Sequence, residues 1–489
     1  MKSILYILSV FAFTCWFTSC SQTIKVDQKL DAQPSITPNY SGVTIPPNIA
    51  PLNFKLDEPY QAARAVCSYG TTCIEVDASN NQFYIPTNEW SKLLNEARGA
   101  TIQITIYAQN NDKWTQYADF PIHIAAENID SHLAYRLIEP GYEIWNQMGI
   151  YQRNLETYEQ TAIYENKLSK GNCVNCHSFC MQDPDQMLFH LREGFSGTMI
   201  MQDGKVEKLN TKTKETLSTL TYPSWHPSGK FVAFSVNNIL QAFHTNNLNR
   251  VEVFDTASDV VVYDVERHEV VTTPLLFGKN ALETFPTFSP DGKQLYFSSA
   301  SAVAMPDSFA QARYNLCSIA FDPQTRTFGS VVDTLFHADK AGKSVSFPRV
   351  SPEGDQLMYT LSDYGNFSIW HREADLWMVD LQTGEHTNLE ILNSEEVESY
   401  HAWSNNGRWV VFSSRRVDGL YTRPYIAYID AKGTAHKPFL LPQKRVDYYD
   451  RLMKSYNIPE FIRGEVSTKG RVIALKAQEK GTDIKFVKQ

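Results

Sequence analysis

The chain has 489 residues, a formal net charge of −9 and 43% hydrophobic residues. That length is too great for one core and implies two or three domains, while the mild acidity argues against a phosphate-binding surface and against nucleic acid as a partner. Tyr 25, Phe 27 and Trp 9 make an aromatic content suited to β-rich packing, so few helices are expected.

The N-terminus reads as an export signal. Met1-Lys2-Ser3 is a short positive start, and Ile4 to Trp16 is an apolar run too short to hold a bilayer span. The run closes at Phe17-Thr18-Ser19-Cys20, which resembles the lipobox of bacterial lipoproteins, with Phe17 where Leu or Val is usual. The resemblance implies loss of residues 1–19 as a signal peptide and a lipid on Cys20, the alternative being an ordinary secretory signal with Cys20 a bystander. The expected location is the cell envelope, lipid-anchored to the outer membrane and facing the periplasm. Residues 20–48 carry Pro34, Pro38, Pro46 and Pro47 among Ser, Thr and Asn, and are expected to form a tether.

Residues 49–131 alternate in strand fashion over Ala65 to Cys67, Cys73 to Val76, Gln82 to Ile85, Thr101 to Ala108 and Tyr117 to Ile124. Asn-rich turns separate these runs, which predicts a small antiparallel β-sandwich with one short helix over Ser91 to Arg98. Cys67 and Cys73 bracket a Gly-containing loop between two strands, and outside the cytoplasm that pattern predicts a hairpin disulfide. Cys180 and Cys317 have no evident mates. Residues 132–171 are dense in aromatics and predict a connector, with a helix over Asn154 to Leu168 ending near Gly171.

Asn172 to Ser178 then reads Asn-Cys-Val-Asn-Cys-His-Ser, so Cys173, Cys176 and His177 spell CxxCH, the attachment signal for a c-type haem. Two thiols at this spacing add to the two vinyl groups of one haem, and the adjacent imidazole reaches the iron. Two other readings stay open: a zinc site using Cys173, Cys176, His177 and Cys180, which would crowd a tetrahedron, and a plain Cys173–Cys176 disulfide.

The rest of the chain repeats. Tyr222-Pro-Ser-Trp-His-Pro-Ser-Gly229, Phe285-Pro-Thr-Phe-Ser-Pro-Asp-Gly292 and Phe347-Pro-Arg-Val-Ser-Pro-Glu-Gly354 are one motif, and Tyr400-His-Ala-Trp-Ser-Asn-Asn-Gly407 is a looser copy. An alternating strand follows each, so the unit is a strand, a tight turn and a second strand. The motif strongly resembles the WD40-like PD40 repeat of TolB-type propellers. With degenerate copies at Cys176 to His190 and Gly464 to Leu475, the repeats number six, as a six-bladed β-propeller over 172–489 needs.

The CxxCH occupies the place in the first repeat that the aromatic-Pro-x-aromatic strand holds elsewhere, which roots the haem in the propeller and dispenses with a helical cytochrome domain. His177 is then the proximal ligand, and His190 leads the distal candidates over Met181, Met187, Met199 and Met201, with Arg192 placed to pair a propionate. No Gly-x-Ser-x-Gly nucleophile accompanies the propeller, and His226, His401 and the Arg415-Arg416 pair read as ordinary loop residues. The expected function is an exported, lipid-anchored protein carrying one haem c and passing electrons to or from a periplasmic or membrane protein partner, without catalysis. A TolB-like interaction scaffold with a structural, sensory or absent haem is the alternative, and a peroxidase-like haem enzyme a weaker one.

Overall fold

In six strands the chain breaks its own pleat at the same place. The computed structural model describes residues 24–140 and 146–487, so the export signal, Cys20, Tyr142 and Trp145 lie outside the described residues. The six strands are Cys173–Phe179, Thr221–Trp225, Ala281–Phe288, Ser344–Val350, Glu398–Trp403 and Ser455–Ile462. At Cys176, Tyr222, Phe285, Phe347, Tyr400 and Ile458 φ lies between 46° and 54°, and the ladder to the neighbouring strand slips there. Holding a non-glycine residue in that region costs on the order of 1 kcal/mol. The residue after the break is proline at Pro223, Pro286, Pro348 and Pro459, which has no N–H for the bulge to leave unpaired. His177 and His401 take that place in the other two strands.

Each broken strand is the innermost of a four-stranded blade, and the six blades make the expected six-bladed β-propeller. Blades 1 to 5 run in chain order from Cys173–Phe179 to Phe439–Leu440. Blade 6 is built from two distant segments. Its innermost strand Ser455–Ile462 pairs with His132–Ile138, which pairs in turn with Gly149–Asn154 and Gln160–Glu165. The expected connector 132–171 is therefore most of a blade. Its expected helix over 154–168 is a strand followed by a single 3-10 turn, Asn166–Ser169, because Gln160–Glu165 adds to an open sheet edge.

The expected last repeat at 464–475 is also corrected. Gly470–Ala477 is a helix whose Ile473, Ala474 and Ala477 pack beside blades 6 and 1, and the true sixth motif is Ile458-Pro459-Glu460-Phe461. Beyond the helix, Thr482–Asp483 adds a fifth strand to blade 1 and Lys485–Val487 a fifth to blade 2, both parallel to the strands they cover. The C-terminal segment is a strap over two blade edges that would otherwise stay unpaired.

Of the expected tether, residues from Val26 onward belong to the N-terminal domain. Val26–Lys29 runs parallel to Lys113–Gln116, Thr44–Ile45 runs parallel to Phe120–Ile124, and Tyr40, Val43 and Ile45 are buried. The prolines there turn the chain between short strands and do not extend it. The domain holds a seven-stranded sheet, a two-stranded sheet of Ile36–Thr37 with Lys55–Leu56, and a helix Thr87–Glu96 that buries Trp90, Leu93 and Leu94. Its core is continuous with that of blades 5 and 6 through Tyr135, Trp409, Phe439 and Tyr456.

The expected Cys67–Cys73 disulfide is absent, and both thiols are free. In the hairpin register Cys67 stands opposite Ile74 and Cys73 opposite Ser68, so the alternating pleat buries Cys67 and turns Cys73 to solvent on the other face.

Candidate functional site

The positive-φ residues form a ring around the propeller channel. Four of them are aromatic, and their rings touch in sequence: Tyr222 and Phe285 at 4.6 Å between centroids, Phe285 and Phe347 at 4.4 Å, Phe347 and Tyr400 at 4.6 Å. Cys176 and Ile458 complete the ring. This belt is the waist of the channel, with a cavity on either side.

The wider cavity, about 420 Å³, lies on the side from which the long hairpin Phe231–Phe243 and Val251–Asp264 projects. Cys176, Tyr222, Trp370 and Tyr400 line it with Arg136, Arg192 and Arg415. Arg136 is buried. Its guanidinium donates to the Val174 carbonyl at 2.8 Å, to Asn175 Oδ1 at 2.6 Å and to Asn457 Oδ1 at 2.7 Å, which staples blade 6 to blade 1. Arg415 lies 3.4 Å over the Trp370 ring and donates from Nε to the Ile369 carbonyl at 3.0 Å. Among the described residues the one carboxylate on this wall, Glu139, is engaged by Lys454 at 3.6 Å and by the backbone N–H groups of Asn146 and Gln147. A chain of net charge −9 thus concentrates guanidinium groups at one channel mouth.

The narrower cavity, about 160 Å³, lies on the side of the Pro-Asp-Gly type turns. The third residue of each innermost motif faces it: Ser178, Ser224, Thr287, Arg349, Ala402 and Glu460. Glu460 accepts the Phe179 N–H at 3.2 Å, and burial pushes its carboxyl up to about 8. Burial likewise disfavours the charge of Arg349, whose Nη1 donates to the Pro348 carbonyl at 2.8 Å.

The CxxCH segment is divided between these spaces. Cys173 is half-buried, opposite Arg192 in the ladder, and packs against the core between blades 6 and 1; burial raises its pKa. Cys176 faces the wider cavity. His177, 2% exposed, faces the narrower one, and burial holds its ring neutral with a pKa of about 3. His401 occupies the equivalent place in blade 5, where its Nε2 lies 2.9 Å from the Met358 carbonyl of blade 4. A histidine at this position therefore has a structural use between blades.

The distal candidates do not face Cys176 either. His190 stands at the blade position held elsewhere by Ser235, Ser298, Thr360 and Ser413, with Nδ1 2.8 Å from Thr198 Oγ1 and a pKa lowered by burial to about 3. Met187, Met199 and Met201 are core, and Met181 is exposed at the rim of the narrower cavity. Cys176 and Arg192 share the wider cavity, His177 and Met181 the narrower one, and His190 and Arg192 a third beside blade 1, and none of these holds both a haem thiol and a candidate iron ligand. Two thioethers and an iron-bound imidazole must meet one porphyrin, and with blade 1 closed the residues present do not fit that requirement. Among the described residues no three His, Cys, Asp or Glu side chains are placed to hold one metal ion, which also separates the zinc ligand set.

His226 is a packing residue, with Nδ1 2.7 Å from Ser228 Oγ and Nε2 3.2 Å from the Gly292 carbonyl of the next blade. Arg416 pairs with the buried Glu398 at 3.0 Å. Sequence reasoning missed Arg136, Arg349, Trp370 and Glu460. Arg349 and Glu460 had a local signal, the third place of the Phe347-Pro348-Arg349-Val350 and Ile458-Pro459-Glu460-Phe461 motifs.

No protein-family model matches the chain, and no curated protein does. Among solved structures the chain is similar to a puromycin-hydrolysing peptidase of Mycobacterium tuberculosis, at 11% identity and a TM-score of 0.37, covering 82% of this chain and 57% of that one. It is similar to a DUF4784 family protein of Bacteroides caccae, at 8% identity and a TM-score of 0.30, covering 85% and 98%. A periplasmic gluconolactonase of Pseudomonas aeruginosa matches at 13% identity and a TM-score of 0.34, covering 64% and 96%. These likenesses concern fold alone, and the six blades rest on their own strand pairing.

Proposed function

We propose that the chain is an exported binding propeller of TolB-like type whose wide channel mouth takes an anion with a flat, apolar body. One observation carries this reading. Arg136, Arg192 and Arg415 line the same cavity of about 420 Å³ as Tyr222, Trp370 and Tyr400, against an overall charge of −9. Anthraquinone-2,6-disulfonate is a suitable probe because it is planar and doubly anionic. Titration of the folded protein, followed by tryptophan fluorescence, is expected to give saturable binding that weakens with salt and falls about tenfold in Arg192→Ser. Equal binding of neutral anthraquinone, or an unchanged affinity in the variant, would overturn the reading. Attachment to the envelope through a lipid on Cys20 belongs to the same proposal and is tested by palmitate labelling against Cys20→Ala.

A covalent monohaem electron carrier is the second reading. It is supported by the CxxCH spacing and by Cys176 and Arg192 facing the same cavity. It requires Cys173 and His177 to be claimed before blade 1 closes. Mass spectrometry of protein exported alongside haem-attachment machinery decides it: a gain of one haem, lost in Cys173→Ala/Cys176→Ala, supports the carrier, and an unmodified mass leaves the anion-binding propeller.

A further inference from the structure

The narrow end of the channel holds a guanidinium and a carboxyl group that do not meet. Arg349 from blade 4 and Glu460 from blade 6 face the same cavity of about 160 Å³, and among the described residues neither makes an ion pair within 4.0 Å. Blade 5 stands between them and contributes Ala402, whose methyl leaves the gap open. Opposite lie the hydroxyl-bearing Ser178, Ser224 and Thr287.

A half-buried guanidinium with no carboxylate against it is incompletely compensated for lost hydration, and the carboxyl of Glu460 answers its burial by holding its proton up to about pH 8. Natural cores remove such pairs or join them. Here the six-fold repeat places both in one layer, and the intervening position is the smallest side chain in that layer. His177 and His401 also line the cavity, at 2% and 3% exposure. A simple anion would engage Arg349 alone, and a simple cation Glu460 alone. A small molecule bearing both charges on adjacent atoms meets both needs at once.

We propose that this end of the channel binds a small free α-amino acid as its zwitterion, with the carboxylate on Arg349 and the ammonium on Glu460. The cavity volume suits a short side chain, which would lie against the aromatic belt. The ligand differs in class from the flat anion at the wide mouth, and neither site depends on the other.

The test is calorimetric titration of the full folded chain with L-alanine, alaninamide and N-acetylalanine. Alanine is expected to bind, and each capped form, having lost one charge, at least about tenfold more weakly. Arg349→Gln and Glu460→Gln are each expected to lose alanine binding by a similar factor while keeping the anthraquinone disulfonate affinity of the wide mouth. If alanine binds no better than its capped forms, or not at all, the proposal is wrong. The capped ligands decide this on the unaltered protein should a variant fail to fold. Retained alanine affinity in both folded variants would equally overturn it.

Discussion

Glu460 and His177 stand about the same channel end, and burial moves them in opposite senses. Glu460 and Glu283 are each pushed from an ordinary value near 4.5 to about 8, and Asp255 from 3.8 to about 7. A folded pKa above the unfolded one gives stability that is complete below the unfolded value and lost as pH rises through the folded value. His177, His190 and His401 are held at about 3, so their contribution is complete above about 6.5 and lost as the solution is acidified toward 3. Between about pH 6.5 and 8 the raised carboxylates alone of these groups titrate, and stability is expected to fall. Glu460 faces Arg349, whose positive charge limits the rise, and shares its cavity with the neutral His177 and His401. Thermal melts at pH 6.5 and pH 8 should show a drop in Tm that is smaller in Glu460→Gln. An equal drop in variant and parent would mean that Glu460 is already ionised at the lower pH.

Among the elements, the loops flanking the innermost strands use glycine for two separable reasons. Gly292, in the turn after the innermost strand of blade 3, has a φ of 73°, and a Cβ there would strike the His226 ring of the preceding blade; Gly342, in the loop before the innermost strand of blade 4, has a φ of 68° with open space around it. Gly342→Ala should cost about 1 kcal/mol from backbone strain alone, and Gly292→Ala about 2–4 kcal/mol. Chemical denaturation of both, with Gly292→Ala repeated in His226→Ala, separates strain from collision. If the two glycine variants cost the same, the blade-to-blade contact has no part.

Such turns are also what made the repeat legible. Proline and glycine fix the backbone locally, so four motifs could be read directly from the chain. The sixth strand, Ile458-Pro459-Glu460-Phe461, carries the same proline but leads to no such turn, because its sheet partner is His132–Ile138, which precedes it by most of the chain. No local pattern encodes a pairing at that separation. The CxxCH was legible as spacing, but a strand with a left-handed break sends neighbouring side chains to opposite sides of the belt. Arg349 and Glu460 hold the same motif position, yet they face one cavity only because the blades are arranged in a ring.

Across the whole molecule, closure of the ring depends on blade 6 meeting blade 1. Arg136 spans that seam with three hydrogen bonds from a nearly buried guanidinium. Arg136→Met keeps most of the volume but strands the Asn175 and Asn457 side chains, and is expected to cost about 2–4 kcal/mol in urea unfolding. A change under about 0.5 kcal/mol would place the strength of the seam in its apolar contacts.

The two-part construction of blade 6 also sets an order on biosynthesis. Residues 132–165 are made early, yet their inner edge has no partner until Ser455–Ile462 emerges, and the edges of blades 1 and 2 wait longer still for the strap. Until then an open arc of blades exposes the apolar faces of its first and last members. A nascent chain of this design cannot complete its native state until its last strands have emerged.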